Sequence, residues 1–147
     1  MDTHDAPSIR LTLPGRPEYV RLGRLALSGL AYARPLSAEV LGDLKLALTE
    51  ACSMRLASSA AQGTYEIRYE LHYDRLVVEV LDTGDGFLVP DEPSPSGPAL
   101  GLGIIRALAD ELEVGPGGDG AGSRLRFVKR LDDRAPEELT CDDLPHD

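Results

Sequence analysis

Apolar and polar residues alternate along two segments of the chain, which is the spacing of a half-buried β-strand. The first segment is short and covers 9–13. The second covers 64–73, and a tight turn at Asp74 and Arg75 connects it to an apolar run over 76–81. The two long runs predict an antiparallel hairpin, and 123–130 is predicted to form the last strand.

Three other segments have helical spacing. Apolar residues recur every three or four positions over 18–32, 37–57 and 100–112. Ser37 is predicted to cap the second helix, since its hydroxyl can accept a hydrogen bond from the first turn. We expect an apolar stripe of this helix to face the core. The remaining face then carries Asp43, Ala47, Glu50 and Met54.

The predicted order is strand, helix, helix, strand, strand, helix, strand. Helices on one face of a mostly antiparallel sheet accommodate this order, so we predict an α+β fold built as a two-layer sandwich. A chain of 147 residues suffices for one core. We expect that domain over 9–131, with a flexible amino terminus over 1–8 and an acidic, disordered tail over 132–147.

Charge and hydropathy exclude some classes of function. The formal net charge is −10, which argues against direct binding of nucleic acid, because phosphate backbones require clustered Lys and Arg. The tail over 132–147 holds seven acidic residues and one basic residue. No apolar run approaches the roughly 18 residues of a membrane span, and the acidic amino terminus is unlike a secretory signal. We therefore expect a cytoplasmic protein that does not bind a membrane.

Two passages carry candidate chemistry. Glu50 lies in the middle of the second helix, away from its apolar stripe. Asp82 ends a predicted strand and precedes Gly84 and Gly86. A carboxylate at that position can accept a hydrogen bond from an amino group while the bare glycine backbone approaches a flat ring. The same residues are also good turn formers, so both interpretations of the passage stay open.

In this order and spacing the passages resemble the GHKL ATPase superfamily, and within it the bacterial anti-sigma-factor serine/threonine kinases. Two further passages carry the resemblance, namely 17–29 and the glycine box over 101–105 that Asp110 follows. The resemblance covers about 9–131 and implies the Bergerat fold of that superfamily.

The resemblance also implies roles for individual residues. Glu50 matches the glutamate proposed as the general base that activates the attacking hydroxyl or water. Asp82 matches the carboxylate that recognises adenine, so ATP is the candidate cofactor. The nucleotide-binding residues that the resemblance predicts are Asp82, Gly84, Gly86, Gly101, Gly103 and Ser123.

The phosphate side departs from the family pattern. Met54 stands where the family has an asparagine that binds magnesium, and a soft thioether cannot replace a hard oxygen ligand. Ala99 stands in place of a glycine of the second box, and the segment 87–101 contains no Lys or Arg that could clamp a phosphate. Arg55 follows Met54 and is expected at the surface. We therefore do not expect Mg²⁺ and predict no metal ligand.

Two functions remain open. The first is an anti-sigma-factor-like regulator that acts by binding partners, with ATP binding and kinase activity weakened or lost. The alternative is an active ATP-dependent serine/threonine kinase that phosphorylates an anti-sigma-factor antagonist. The resemblance implies a sigma factor, a small antagonist protein or both as partners, and a homodimer formed through the sheet edge and first strand. The departures favour the first function, because phosphoryl transfer depends on electrostatic positioning by the metal.

Overall fold

A computed structural model describes residues 6–57, 63–82, 98–116 and 122–131. A short 3-10 turn, Pro17–Tyr19, precedes the first helix. No helix of the described ranges is long and apolar enough to cross a bilayer. The elements in chain order are β1 (Ser8–Pro14), α1 (Val20–Ala33), α2 (Ala38–Leu56), β2 (Thr64–Leu71), β3 (Arg75–Asp82), α3 (Pro98–Leu108), β4 (Glu111–Pro116) and β5 (Ser123–Arg130).

The strands form one sheet in the order β1-β2-β3-β5-β4, and every neighbouring pair is antiparallel. The register places Ile67 opposite Val80, and Val80 opposite Leu125. All three side chains are fully buried in the core that the helices cover. The predicted fold class, a two-layer α+β sandwich with helices on one sheet face, is therefore confirmed.

The sequence-based prediction was wrong at the end of α3. A helix was expected up to Leu112, but α3 ends at Leu108, and Glu111–Pro116 forms the strand β4. Leu112 lies opposite Phe127 of β5 and packs against the core. Glutamates alternate with apolar residues here, so the segment fits a strand as well as a helix. The segment forms a strand because it pairs with β5.

Asp110 fixes the turn between α3 and β4. Its backbone N–H donates to the Val128 carbonyl at 2.8 Å, and its carboxylate Oδ2 accepts the Arg130 N–H at 2.6 Å. Both contacts join the end of α3 to β5. Lys129 adds a third connection, because its ammonium donates to the Leu108 carbonyl at 2.7 Å and lies 3.2 Å from Asp43 Oδ2.

Helix α2 begins as predicted and is buried more widely than predicted. Ser37 Oγ accepts the Val40 N–H at 3.1 Å, which confirms the N-cap. The expected apolar stripe faces the sheet, where Leu48 and Ala51 are fully buried. Ala47 and Met54, which were expected off the core, are buried too. The reason is α3, which packs against this second side of α2.

A glycine allows α1 to approach the sheet closely. A Cβ at Gly23 would lie 3.0 Å from Leu48 Cδ2 and 3.1 Å from Ile67 Cδ1, so a larger residue would force these buried side chains to shift. The Tyr69 hydroxyl donates to the Gly23 carbonyl at 2.8 Å in the same buried place. This hydrogen bond ties the middle of β2 to α1.

Replacing Tyr69 with Phe should reduce the free energy of unfolding by about 1 kcal/mol, because it deletes one buried hydrogen bond and retains the ring. Urea unfolding of the wild type and Tyr69→Phe measures the difference. Tyr73→Phe is the matched control, since Tyr73 is 83% exposed. Equal losses in both variants would contradict the assigned role of the Tyr69 hydroxyl.

Candidate functional site

Two predicted site residues meet at one end of the sheet. Asp82 is the last residue of β3 and lies directly opposite Ser123, the first residue of β5. Directly opposed residues share one face of a sheet. Val80 and Leu125 lie two residues further along on that same face and belong to the core, so Asp82 and Ser123 lie on the helix-covered side.

A second group of predicted residues meets where α3 crosses α2. Glu50 and Met54 are one helical turn apart on α2, and Gly101 of α3 packs against both. A Cβ at Gly101 would lie 3.3 Å from Glu50 Oε1 and 3.5 Å from Met54 Cγ. We call Glu50, Met54 and Gly101 the α2–α3 seam. Its closeness depends on the glycine, since Gly101 itself is buried.

The seam presents a thioether beside a carboxylate. Met54 is 3% exposed, and its sulfur lies 3.6 Å from the position of a Gly101 Cβ. Glu50 is partly exposed. Among the described residues, no group of three or more His, Cys, Asp or Glu is placed to hold a metal ion. The seam thus combines one acidic side chain with apolar packing.

The remaining predicted glycines have different outcomes. Gly103 lies on the exposed side of α3, and nothing lies within 4 Å of a Cβ built on it. The structure therefore brings Gly101, and not Gly103, against α2. Gly84 and Gly86 lie outside the described residues.

Arg55 was expected at the surface, and that expectation was wrong. Its side chain is 1% exposed, and its Nε lies 2.9 Å from Oδ2 of Asp82, whose side chain is 3% exposed. The Arg55 guanidinium carbon also lies 5.4 Å from the centre of the Tyr65 ring, within range of a cation–π contact. The carboxylate predicted to recognise a base is therefore paired with a buried cation of α2.

A sequence signal for this burial exists. Arg55 follows Leu48 and Ala51 at helical spacing, so it continues the stripe of α2 that faces the sheet. Asp82 likewise continues the inward register of Val78 and Val80 on β3. An acidic and a basic residue that both extend buried faces are expected to pair, since an isolated buried charge is very unfavourable.

Tyr65, which contacts Arg55, and Cys52, which lies beside Tyr65, are both neutral. Burial raises the pKa of the Cys52 thiol to about 12, although a hydrogen bond with Tyr65 acts in the opposite direction. Burial also raises the pKa of Tyr65, and the nearby Cys52 adds to that rise. Both groups stay protonated at neutral pH. The Arg55–Asp82 pair thus lies in surroundings of low polarity, in which charge–charge contacts are strong.

Sequence comparison identifies the relatives of this chain. The profile of the histidine kinase-like ATPase domain matches residues 13–129. The serine-protein kinase RsbW of Listeria innocua is 35% identical over 127 residues, with 76% of this chain and 80% of the relative covered. The serine-protein kinase RsbW of Bacillus licheniformis is 33% identical over 142 residues, with 85% of this chain and 88% of the relative covered.

A solved structure shares the fold. The crystal structure of the RsbU and RsbW domains of a Mycobacterium tuberculosis protein superposes with a TM-score of 0.66 at 18% identity. The match covers 88% of this chain and 34% of that chain, so this chain spans about a third of the length of the solved one. The resemblance drawn from the sequence motifs is confirmed. On these matches the chain belongs to the histidine kinase-like ATPase family, and within it to the family of the serine-protein kinases RsbW.

Proposed function

We propose that this chain acts in the cytoplasm as an anti-sigma-factor-like regulator that binds protein partners, with ATP binding and kinase activity weakened or lost. The observation that carries the proposal is the burial of Met54 beside Glu50 and Gly101. In the family that the sequence resembles, this position supplies an oxygen ligand to magnesium.

The residues of the α2–α3 seam do not fit Mg²⁺. Magnesium requires near-octahedral coordination by hard oxygen atoms, and a thioether packed against a glycine is neither hard nor accessible. In phosphoryl transfer the metal neutralises charge that develops on the phosphate oxygens. Loss of this ligand would remove much of that stabilisation, so no transfer step is assigned to these residues.

The surface of the helical layer is consistent with partner binding. Leu25 is 61% exposed and Tyr32 is 91% exposed on α1, although both are large apolar side chains. Arg21, Arg24 and Lys45 line a shallow depression of about 210 Å³ next to Leu25. Exposed apolar groups next to charged ones are typical of protein–protein contact sites. A sigma factor, a small antagonist protein or both are the partners we propose.

Homodimerisation through β1 is part of the same proposal. This strand lies at one edge of the sheet that the structure describes, so its outer backbone groups are available to pair with a strand of a second copy. Ile9 on the strand is 37% exposed. Pairing of two β1 edges would cover both the outer backbone groups of β1 and the Ile9 side chain. Direct binding of nucleic acid is not proposed, given the net charge of −10.

An active serine/threonine kinase is the second candidate function. It is favoured by Glu50, which keeps a partly exposed carboxylate against the glycine of α3. A general base needs such a reachable carboxylate. The two functions differ in whether phosphate is transferred to an antagonist protein.

The wild type is expected to show no magnesium-dependent binding of ATP and no transfer of phosphate to an antagonist protein, because the seam lacks the oxygen ligand. Calorimetry with ATP, with and without Mg²⁺, and a radiolabelled-phosphate assay measure both properties. The serine-protein kinase RsbW of Bacillus licheniformis is the positive control for the assay. Tight magnesium-dependent binding followed by transfer would establish the second function instead.

Glu50→Gln is expected to leave partner affinity and the midpoint of thermal unfolding unchanged, since the carboxylate is partly exposed and serves no reaction in this account. Calorimetric titration with a purified sigma factor measures the affinity. Glu39→Gln, which changes an exposed residue in the first turn of α2, is the matched control. Phosphate transfer by the wild type that disappears in Glu50→Gln would assign the residue as the base of an active kinase.

A further inference from the structure

We propose that Arg55 occupies the base site of this fold from within, so that its guanidinium holds the Asp82 carboxylate and excludes adenine nucleotides. The inference rests on the proposed function and on the family resemblance, which implies that Asp82 marks the place where a nucleobase amino group would bind. It makes Arg55 a specificity-determining residue of that site. Arg55 would exclude the nucleobase, in addition to the loss of magnesium binding that Met54 causes near the phosphates.

Arg55 places a flat, donor-bearing group against Asp82, as an adenine ring would do. Its guanidinium is planar and carries N–H groups, its Nε lies 2.9 Å from Asp82 Oδ2 in an ion pair, and its central carbon lies 5.4 Å from the centre of the Tyr65 ring. The amino-bearing edge of adenine would offer the same carboxylate the same kind of donor. Both side chains of the pair are at least 97% withdrawn from solvent, at 1% and 3% exposure.

The internal ligand has two advantages over a nucleotide. Its contact with Asp82 joins opposite charges in a buried place, whereas the adenine amino group is neutral, and charge–charge attraction is strong away from water. It is also part of the chain, so it loses no translational freedom on binding. A nucleotide would moreover have to leave the displaced guanidinium without its buried partner, which is unfavourable.

Arg55 and Met54 are adjacent on α2 and face different elements. Met54 contacts Gly101 of α3, while Arg55 contacts Asp82 and Tyr65 of the sheet. Helix α2 therefore carries both residues: Met54 lies toward the predicted phosphate-binding region, and Arg55 lies toward the predicted base-binding region. Each change can be tested separately, because binding of adenosine needs only the base side.

Calorimetry with adenosine and ADP in the absence of Mg²⁺ isolates the base side. The wild type is expected to bind neither, Arg55→Ala is expected to bind both, and Arg55→Ala combined with Asp82→Asn is expected to lose that binding. Arg106→Ala, which removes an exposed arginine of α3, is the matched control and should behave as the wild type. Adenosine should also raise the midpoint of thermal unfolding of Arg55→Ala alone.

Several results would overturn the proposal. Binding of ADP by the wild type would show that Arg55 does not exclude adenine, and binding of GDP would show that the pair reads guanine, whose O6 and N7 accept from arginine. A folded Arg55→Ala variant that binds no adenosine would also show that Arg55 does not exclude adenine. Should that variant not fold, the wild type supplies the test: its Arg55 Nε–H should exchange slowly with solvent and keep its resonance when adenosine is added, and fast exchange would contradict the buried pairing.

These outcomes are separable from failure of the proposed function. Magnesium-dependent phosphate transfer by the wild type would refute the proposed function, which is that of a regulator whose kinase activity is weakened or lost. An inactive wild type whose Arg55→Ala variant binds no adenosine refutes only the role of Arg55.

Discussion

The charge pair between Arg55 and Asp82 is the constraint on which the rest of the site depends. Two charges withdrawn from water are stable only while they remain together, because the loss of either partner leaves the other uncompensated. The pair therefore fixes the last turn of α2 over the end of β3. It also decides which face of that turn points toward α3, since Met54 precedes Arg55 directly. This orientation determines which residues of α2 face α3 in the α2–α3 seam.

The two-sided burial of α2 connects this constraint to the function. One side carries Leu48 and Ala51, which are fully buried toward the sheet, and the other side packs on Gly101 of α3 through Met54. A helix packed on both sides stabilises the fold that this chain shares with its family, whichever side chain stands at position 54. The outer surface of α1, where we propose that partners bind, exposes Leu25 and Tyr32.

Much of the fold could be predicted from the sequence, because its signals are local. The alternation of Tyr65, Ile67 and Tyr69 predicts β2 and its buried face, and Ser37 predicts the start of α2; both are observed. Strand β4 was missed because its four alternating residues also fit the spacing of the preceding helix. Only contact with Phe127 of β5 distinguishes the two, and that contact is not local.

The candidate site was harder to predict for the same reason. The passages around Glu50 and Asp82 identified the family, and the close packing of Gly101 on Glu50 agrees with the motif order. The position of Arg55 was missed because a charged residue near a helix end is usually solvated, and its partner lies on a distant strand. Following the buried stripe of α2 to its end, instead of judging Arg55 by its charge, would have indicated the burial.

A double-mutant cycle on Arg55 and Asp82 tests the central claim most directly. The free energy of unfolding of the wild type, Arg55→Met, Asp82→Asn and the double variant is measured by urea unfolding at neutral pH. We predict that each single change costs about 3–5 kcal/mol. The double variant should lose less than the sum of the two, by roughly 1–3 kcal/mol. Losses that add to within about 0.5 kcal/mol would contradict the account, because they would show that the two charges do not interact.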